Sequence, residues 1–329
     1  MISHAGFNYM SYRRQNGVAV ITALLLTTLA VTIVASLFWQ QQVQVRSIEN
    51  QRMQLQKQWI LRGALDWAGL ILRESYKSND AYVSLQDAWA VGLAETRLDS
   101  YVENGRSDGE ASDATIVGKI TDAQSLFNLT NLSLRGEPVL ITTDAFKKLL
   151  TLLRLDPALA DATAKSVAKG QIREVSVGDV KQPEAASQLK FAHVEDLLAV
   201  PGFTPDIVEK LRGYVIFLPN STSININTAP AEVLHATIKD LPLDQAQAFV
   251  QSRDKVPFIG VEDAKSQLES LGATPGSPPP FDVKSNYFLV DGKVKLNRAG
   301  LAVRALIERT TDATTRLPKT TILWIHENQ

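Results

Sequence analysis

The sequence predicts an α+β fold in which a long N-terminal helix packs on an antiparallel sheet, with further helices between them along the chain. The helix is indicated by the absence of proline from Val18 to Tyr76, a stretch with glycine only at Gly63 and Gly69. The sheet is indicated by alternating apolar and polar residues within 286–325, a pattern typical of strands with one buried face. The chain contains no cysteine, which excludes disulfides and thiolate chemistry.

The first part of the helix is an uncharged apolar run from Val18 to Trp39, preceded by Arg13 and Arg14. A hydrocarbon core of about 30 Å requires about 20 apolar residues in a helix, and this run supplies them. The run is longer than the core of a secretory signal and has no small-x-small cleavage site behind it, which favours a membrane anchor. Because positive charge is retained in the cytoplasm, the N-terminus is predicted to be cytoplasmic and the bulk of the chain to lie across the membrane.

The second part of the helix, from Gln40 onwards, is amphipathic. Its apolar residues recur mostly three, four and seven positions apart and therefore share one face of a helix. At about 1.5 Å per residue, the whole helix is about 85 Å long. The apolar face consists of Ile48, Leu55, Trp59, Ala64, Leu65, Ala68 and Leu72.

This construction resembles the type IV pilins and pseudopilins, whose short basic leader ends in glycine. In that class a membrane-embedded prepilin peptidase cuts after the glycine, and the apolar run stays in the mature protein as an anchor and filament core. The resemblance implies a leader over residues 1–17, cleavage between Gly17 and Val18, and N-methylation of Val18. It also implies that residues 18–39 form the transmembrane half of the long helix.

One departure from that class concerns the fifth residue of the mature chain. Most pilins have a glutamate there, which neutralises the N-terminal ammonium of a neighbouring subunit, since an unpaired charge in hydrocarbon is costly. Counted from Val18, the fifth residue here is Thr22. A subunit without that carboxylate is a poor repeating unit and suits the end of a filament, and in this respect the chain resembles the K minor pseudopilins of the type II secretion system.

A second resemblance to the K minor pseudopilins lies in the stretch Thr121-Asp122-Ala123-Gln124-Ser125-Leu126-Phe127-Asn128-Leu129. In that family a similar stretch leads into a helical domain inserted in a pilin-like fold. The resemblance implies a pilin-like domain in two parts, residues 40–127 and 221–329. The inserted domain, residues 128–220, is expected to be all-α, with SAM-like helix-hairpin-helix units.

Two segments resemble helix-hairpin-helix units, one around Pro201-Gly202 and one beginning at Asn225-Ile226-Asn227-Thr228-Ala229. Similar strings in DNA-binding proteins contact phosphate through backbone N–H groups at a Gly-x-Gly turn, with basic residues nearby. The first turn here has one glycine, and the charged residues between Phe191 and Tyr214 sum to −2. The hairpins are therefore interpreted as packing units, and no nucleic-acid partner is expected.

Further elements are predicted from local pattern. Residues 80–100 and 143–166 are predicted to be helical, the second with Asp144 as its cap and a break at Pro157. Residues 114–120, 301–308 and 321–325 are predicted strands. Asp291-Gly292 is predicted to be the turn of a hairpin.

No catalytic motif is present, and the protein is predicted not to be an enzyme. His4, His193, His235 and His326 form no His-Glu-x-x-His array, and no nucleophile elbow or phosphate loop occurs. No cofactor is required. By resemblance to pseudopilins, calcium is the one metal expected, with Gln124, Glu262, Asp263 and Asp282 as candidate ligands, although calcium takes six to eight oxygens and solvated or helix-capping carboxylates explain these residues equally well.

The resemblance implies a non-enzymatic assembly protein of the bacterial inner membrane, spanning it once with its bulk in the periplasm. The implied partners are the minor pseudopilins I and J, prepilin peptidase, the membrane and exported protein substrates. The implied role is to cap the pseudopilus tip and to initiate or limit its assembly. Two alternatives stay open at this point: a membrane-anchored DNA-uptake module that uses the hairpins, and a minor pilin that serves adhesion.

Overall fold

The structure is a computed structural model that describes residues 16–97, 114–177, 180–296 and 299–328. The chain divides into two compact units, Met1–Trp59 and Ile60–Gln329. The predicted leader lies outside the described residues up to residue 15. The helices are α1 (Asn16–Ser78), α2 (Leu140–Leu152), α3 (Ala158–Lys169), α4 (Pro205–Leu211), α5 (Ala231–Thr237), α6 (Leu243–Arg253) and α7 (Val261–Ser270).

The strands fall into one large sheet and four short pairs. The large sheet contains β1 (Leu93–Arg97), β2 (Ala114–Asp122), β11 (Tyr287–Leu296), β12 (Ala299–Thr311) and β13 (Pro318–Asn328). The short strands are β3 (Phe127–Asn128), β4 (Ser133–Leu134), β5 (Glu137–Pro138), β6 (Arg173–Val177), β7 (Val180–Glu184), β8 (Val215–Ile216), β9 (Ile224–Asn225) and β10 (Phe281–Asp282).

The long helix predicted from Val18 to Tyr76 is confirmed as α1. In the first unit α1 is the whole of the described structure, and its apolar side chains from Val18 to Trp39 are exposed. In the second unit α1 buries one face against the large sheet. That face contains Leu61, Leu65, Ala68 and Leu72, which form one hydrophobic cluster with Phe288, Val290, Val303, Ala305 and Ile307.

The large sheet is antiparallel throughout, with strand order β1-β2-β11-β12-β13. Because successive strand residues point to opposite faces, Phe288 and Val290 pack toward α1 whereas Tyr287 and Leu289 belong to a second cluster with Leu126. The second cluster also includes Ile216, Leu218 and Leu306. The sheet therefore has α1 on one face and part of the helical segments on the other.

The predicted hairpin turn at Asp291-Gly292 is wrong. Both residues lie inside β11, which pairs without interruption with β2 on one side and with β12 on the other. A two-residue Asp-Gly turn needs positive φ at its central residues, and the φ of Gly292 is not positive. The alternation of apolar and polar residues in 286–296 fits one long strand as well as two short ones. Pairing with β2 on one side and β12 on the other holds the segment as one strand.

The helix predicted over residues 80–100 is also wrong for the part that the structure describes. A single 3-10 turn covers Ala88–Ala90, and Leu93–Arg97 is strand β1. Trp89 is buried against Phe288, with ring centroids 5.4 Å apart, and its indole N–H donates to Asp87 at 3.1 Å. This tertiary contact fixes the segment locally and overrides its weak helical preference.

The helical body, defined here as residues 127–283, has one continuous hydrophobic cluster. Helix α2 packs against α3 and α5, and α5 packs against α6. The helices predicted in 143–166 are confirmed as α2 and α3, but α2 begins at Leu140 with Val139 at the N-cap, so Asp144 is not its cap. The cluster continues past the predicted domain boundary at residue 220 as far as Val283, and the boundary itself stays a prediction.

Two glycines of α1 differ in their surroundings, and we expect opposite effects of alanine at the two positions. A Cβ built on Gly63 has no atom within 4 Å, so Gly63→Ala is expected to raise the free energy of unfolding by about 0.5–1 kcal/mol. A Cβ built on Gly69 lies 2.9 Å from Oγ1 of Thr320. Gly69→Ala is therefore expected to leave the free energy of unfolding unchanged or to lower it. Urea unfolding of both variants in detergent measures the difference, and equal gains at both positions would contradict the packing of Gly69 on Thr320.

Candidate assembly site

The predicted cleavage site lies in the first turn of α1. The helix begins at Asn16, so Gly17 and Val18 are its second and third residues. The peptide bond between them therefore lies within the described helix, one residue after its start. Cleavage there and N-methylation of Val18 stay predictions.

Thr22 is accommodated in the apolar helix without an unpaired polar group. Its hydroxyl Oγ1 donates to the carbonyl oxygens of Val18 and Ala19, both at 3.0 Å. Such back-bonding satisfies a hydroxyl within the helix that carries it. The side chain at the predicted fifth position is therefore neutral and self-satisfied, in contrast to a carboxylate, which requires a partner in hydrocarbon.

Among the described residues, one helix is long and apolar enough to cross a membrane, and it is α1 from Val18 onwards. None of the side chains in its most apolar window is buried by the rest of the protein. Length and composition together support an N-terminal membrane anchor.

In the second unit, an apolar groove of about 240 Å³ lies between α1 and the β1–β2 edge of the sheet. Leu61, Trp67 and Ile71 line it from α1, and Val91 and Val117 line it from the sheet side. Trp67 is 44% exposed and Val91 is 77% exposed. Large apolar side chains exposed together in a groove are typical of protein–protein contact sites.

The most buried polar site in the second unit is centred on Asp122, at the end of β2. Its Oδ2 accepts hydrogen bonds from Oγ of Ser285 at 2.6 Å, Oγ1 of Thr228 at 2.6 Å and Nδ2 of Asn225 at 2.8 Å. Its Oδ1 accepts the backbone N–H of Gln124 at 2.8 Å. We call Asp122, Asn225, Thr228 and Ser285 the junction, because they join the sheet to the helical body.

Burial raises the pKa of the Asp122 carboxyl above its ordinary value, and the hydrogen bonds from Ser285, Thr228, Asn225 and Gln124 oppose that rise. All four neighbours donate hydrogen bonds to the carboxyl oxygens, so these oxygens are already occupied as acceptors. This arrangement suits a structural carboxyl group and not a metal ligand, since cations bind to oxygens that are free to coordinate them.

Arg309 connects the junction to α1. Its Nη1 donates to the carbonyl oxygen of Leu72 at 3.2 Å and its Nη2 donates to that of Ser285 at 3.0 Å. The guanidinium also lies over the rings of Tyr76 and Phe288, 5.1 and 4.7 Å from their centroids. Burial lowers the pKa of Arg309, and the charge of Asp122 opposes that shift. One side chain therefore links the helix, the sheet and the junction.

The four candidate calcium ligands have separate roles in the structure. Gln124 donates through Nε2 to the carbonyl oxygen of Ser223 at 3.2 Å, and its Oε1 accepts the N–H of Asn286 at 2.7 Å. Glu262 and Asp263 lie in the first turn of α7, and Asp282 lies in β10, where its Oδ1 accepts the N–H of Val283 at 2.7 Å. In the part of the chain that the structure describes, no group of three or more His, Asp or Glu side chains is placed to hold a metal ion. Calcium binding stays a prediction.

The junction was not identified from sequence. Asp122 lies in the stretch 121–129, and Asn225 and Thr228 lie in the second helix-hairpin-helix segment, but Ser285 is distant from both along the chain. The sequence indicates only that two segments, 121–125 and 225–228, are rich in side chains that form hydrogen bonds. Nothing in local pattern pairs them.

Comparison with known proteins was consistent across family models and individual relatives. The models for type II secretion system protein K match residues 125–220 and 224–284. Type II secretion system protein K of Aeromonas hydrophila is 26% identical over 307 residues, covering 84% of this chain and 88% of its own. The protein of the same name from Pseudomonas aeruginosa is 26% identical over 321 residues, covering 93% and 92%.

The fold is similar to a chain in the crystal structure of the GspK-GspI-GspJ complex from the enterotoxigenic Escherichia coli type 2 secretion system. The TM-score is 0.55 at 21% identity, with 85% of this chain and 99% of that chain covered. The match supports the combination of a long N-terminal helix with an antiparallel sheet and helical segments. The two family models and the nearly full-length relatives make this chain similar to type II secretion system protein K.

Proposed function

We propose that this chain is a membrane-anchored minor pseudopilin that joins the I and J minor pseudopilins at the tip of the pseudopilus. There it caps the filament and initiates or limits its assembly. Exported protein substrates are expected to contact it. The observation that carries the proposal is the single helix α1. It is apolar and exposed from Val18 to Trp39, and its second-unit part has a face that packs on the sheet.

The position of the anchor supports a bacterial inner-membrane location with a cytoplasmic N-terminus and a periplasmic bulk. Arg13 and Arg14 precede the apolar run, and positive charge is retained on the cytoplasmic side. Prepilin peptidase is then the enzyme that removes residues 1–17. The role is structural, with no cofactor required. Calcium is the one metal expected.

Two features support a terminal position in the filament. Thr22 satisfies its hydroxyl within its own helix and brings no carboxylate to a neighbouring N-terminus. Residues 128–220 of the helical body add bulk to the pilin-like core, and we propose that they are the inserted SAM-like, helix-hairpin-helix domain. A bulky subunit that lacks the pairing carboxylate ends a helical array, because a further subunit finds no matching contact above it.

The groove beside Trp67 is where we expect a partner helix to pack, and this contact tests the proposal. Trp67→Glu places a charge in an apolar groove and is expected to reduce the recovery of I and J with this chain by about tenfold or more. Leu198→Glu is the matched control, because Leu198 is 48% exposed and lies in the helical body, away from the groove.

The measurement is co-purification of I and J from detergent-solubilised membranes of cells that produce all three proteins. Secretion by a strain that lacks its own K subunit is scored in parallel. Failure of the wild-type chain to retain I and J, or normal secretion without any K subunit, would overturn the proposed function. Equal losses for Trp67→Glu and Leu198→Glu would remove the groove as the contact.

A further inference from the structure

The loop between α6 and α7, residues 254–260, is held in place from two sides. Nε2 of Gln86 donates to the first two carbonyl oxygens of the loop, both at 3.1 Å. The buried side chain of Asn227 donates through Nδ2 to the carbonyl oxygen of Phe258 at 2.9 Å, and its Oδ1 accepts the N–H of Phe258 at 2.8 Å. Because both ends of the loop are bonded to other segments, its backbone has little conformational freedom to lose when a partner binds.

Two aliphatic side chains of this fixed loop are exposed. Val256 is 73% exposed and Ile259 is 64% exposed. Phe258, which lies between them in sequence, instead stacks on the buried ring of Phe249, with centroids 5.2 Å apart. Covering apolar side chains is favourable by about 25 cal/mol per Å² of area, and a loop that is already ordered adds no ordering entropy to oppose it. The loop therefore has the properties of a binding surface.

The loop adjoins the apolar groove beside Trp67. Gln86, which holds the loop, belongs to the segment 85–91, and Val91 of that segment lines the groove. Leu85, the neighbour of Gln86, is half exposed. Apolar surface therefore continues from the groove along this segment to the loop. We define the extended groove as Trp67, Leu85, Val91, Val256 and Ile259.

The groove beside Trp67 is too small to hold a stable partner by itself. Stable interfaces bury about 800 Å² on each partner and contain about 20–30 residues a side. Several residues that line the groove, including Leu65, Ile116 and Ile120, are already buried in the protein's own hydrophobic core and leave little surface to cover. A partner helix in the groove therefore needs further contacts, and the extended groove supplies apolar ones on the helical body.

We propose that one minor pseudopilin covers the whole extended groove. The subunit whose helix packs beside Trp67 also places an apolar part of its surface on Val256 and Ile259. This inference rests on the proposed function and adds a second contact to it. The continuity of the apolar surface and the limited area of the groove favour this occupant over a separate protein at the loop. The helical body then takes part directly in partner binding.

Co-purification of I and J from detergent-solubilised membranes tests the second contact on the full chain. Ile259→Glu is expected to reduce by about tenfold the recovery of the partner that Trp67→Glu releases, since it places a charge in an apolar contact. Ile141→Glu is the matched control, because the same side chain is 83% exposed on α2, outside the extended groove. Gln86→Ala keeps Val256 and Ile259 but frees one end of the loop, and a loss of about threefold is expected. The Tm of Ile259→Glu is expected to equal that of the wild type, because the substituted side chain is exposed.

Photo-cross-linking identifies the occupant. A photoreactive phenylalanine analogue in place of Trp67 and one in place of Val256 are expected to form adducts with the same minor pseudopilin, and an analogue in place of Ile141 is expected to form none. Different partners at positions 67 and 256, or equal recovery with Ile259→Glu and Ile141→Glu while Trp67→Glu is impaired, would overturn the inference and leave the proposed function standing. A covalent dimer of this chain formed from position 256 would assign the loop to a second copy and would also overturn it. Failure of the wild type to retain I and J would overturn both.

Discussion

Replacing Asp122 with alanine is expected to lower the free energy of unfolding of the second unit by about 3–5 kcal/mol. The change removes the acceptor of four hydrogen bonds and leaves the buried side-chain donors of Asn225, Thr228 and Ser285 without their common partner. Nδ2 of Asn225 keeps the carbonyl oxygen of Val83 at 3.1 Å and Oγ of Ser285 at 2.9 Å, so the hydroxyls of Thr228 and Ser285 lose most. Each unsatisfied buried donor costs about 1–3 kcal/mol. Urea unfolding monitored by tryptophan fluorescence measures the loss, because Trp89 and Trp324 belong to or pack against the clusters on the two faces of the sheet.

Asp122→Asn and Ser285→Ala are the controls for that experiment. Asn keeps the shape and one oxygen acceptor but turns a second group into a donor that faces the N–H of Gln124, so an intermediate loss is expected. Ser285→Ala removes one donor and leaves three, and a loss of about 1 kcal/mol is expected. If Asp122→Ala costs no more than Ser285→Ala, the junction does not hold the sheet to the helical body.

The junction also predicts the sign of a pH dependence. Because burial raises the pKa of the Asp122 carboxyl, the folded state binds that proton more tightly than the unfolded chain does. The resulting stabilisation is present below the ordinary carboxyl pKa and is lost as pH rises through the raised value. Asp122→Asn has no such proton, so the stability of the wild type relative to this variant is expected to fall with rising pH across that window.

The parts of the fold that follow from local periodicity were predicted from sequence. The long helix is predictable because the spacing of its apolar residues and its lack of proline are features of neighbouring turns. The strand predicted at 114–120 is confirmed as part of β2, and the strands predicted at 301–308 and 321–325 lie within β12 and β13. In each case neighbouring residues carry the pattern.

Other parts depend on contacts between distant residues and were missed. Asp291-Gly292 has the composition of a turn, but pairing with β2 and β12 holds it in a strand. Trp89 sits in a 3-10 turn because Phe288, about two hundred residues later, packs against it. The junction collects side chains from three separate segments. No local pattern encodes such pairings. The resemblance motifs singled out residues 121–125 and 225–229 but did not predict that the two segments contact each other.

The junction and Arg309 connect the second-unit part of α1 to the helical body through the sheet. Arg309 binds the backbone of α1 at Leu72 and the backbone of Ser285, and the hydroxyl of Ser285 binds Asp122. Within the second unit, α1 is therefore held to the helical body through buried polar contacts as well as through apolar packing. Loss of stability at Asp122 is consequently expected to impair the proposed assembly even though that residue is buried inside the second unit.

Replacing Gly17 with aspartate is expected to leave the chain as full-length precursor. If prepilin peptidase cuts between Gly17 and Val18, a side chain at position 17 displaces the scissile backbone, and a misplacement of about 1 Å costs about a hundredfold in rate. Failure to fold is not the expected cause, since a carboxylate in the first turn of a helix is favourable. N-terminal sequencing and intact mass, with and without the peptidase, measure the outcome.

Asn16→Asp is the matched variant for this experiment, because it adds the same charge one residue earlier and keeps the glycine. It is expected to be cut as the wild type is, giving a mature chain that starts at methylated Val18. Processing of Gly17→Asp to normal length would refute the cleavage site. Loss of processing in both variants would instead assign the effect to charge at the N-terminus of α1, whereas an uncut wild type in the presence of the peptidase would leave an ordinary membrane anchor and no pseudopilin maturation.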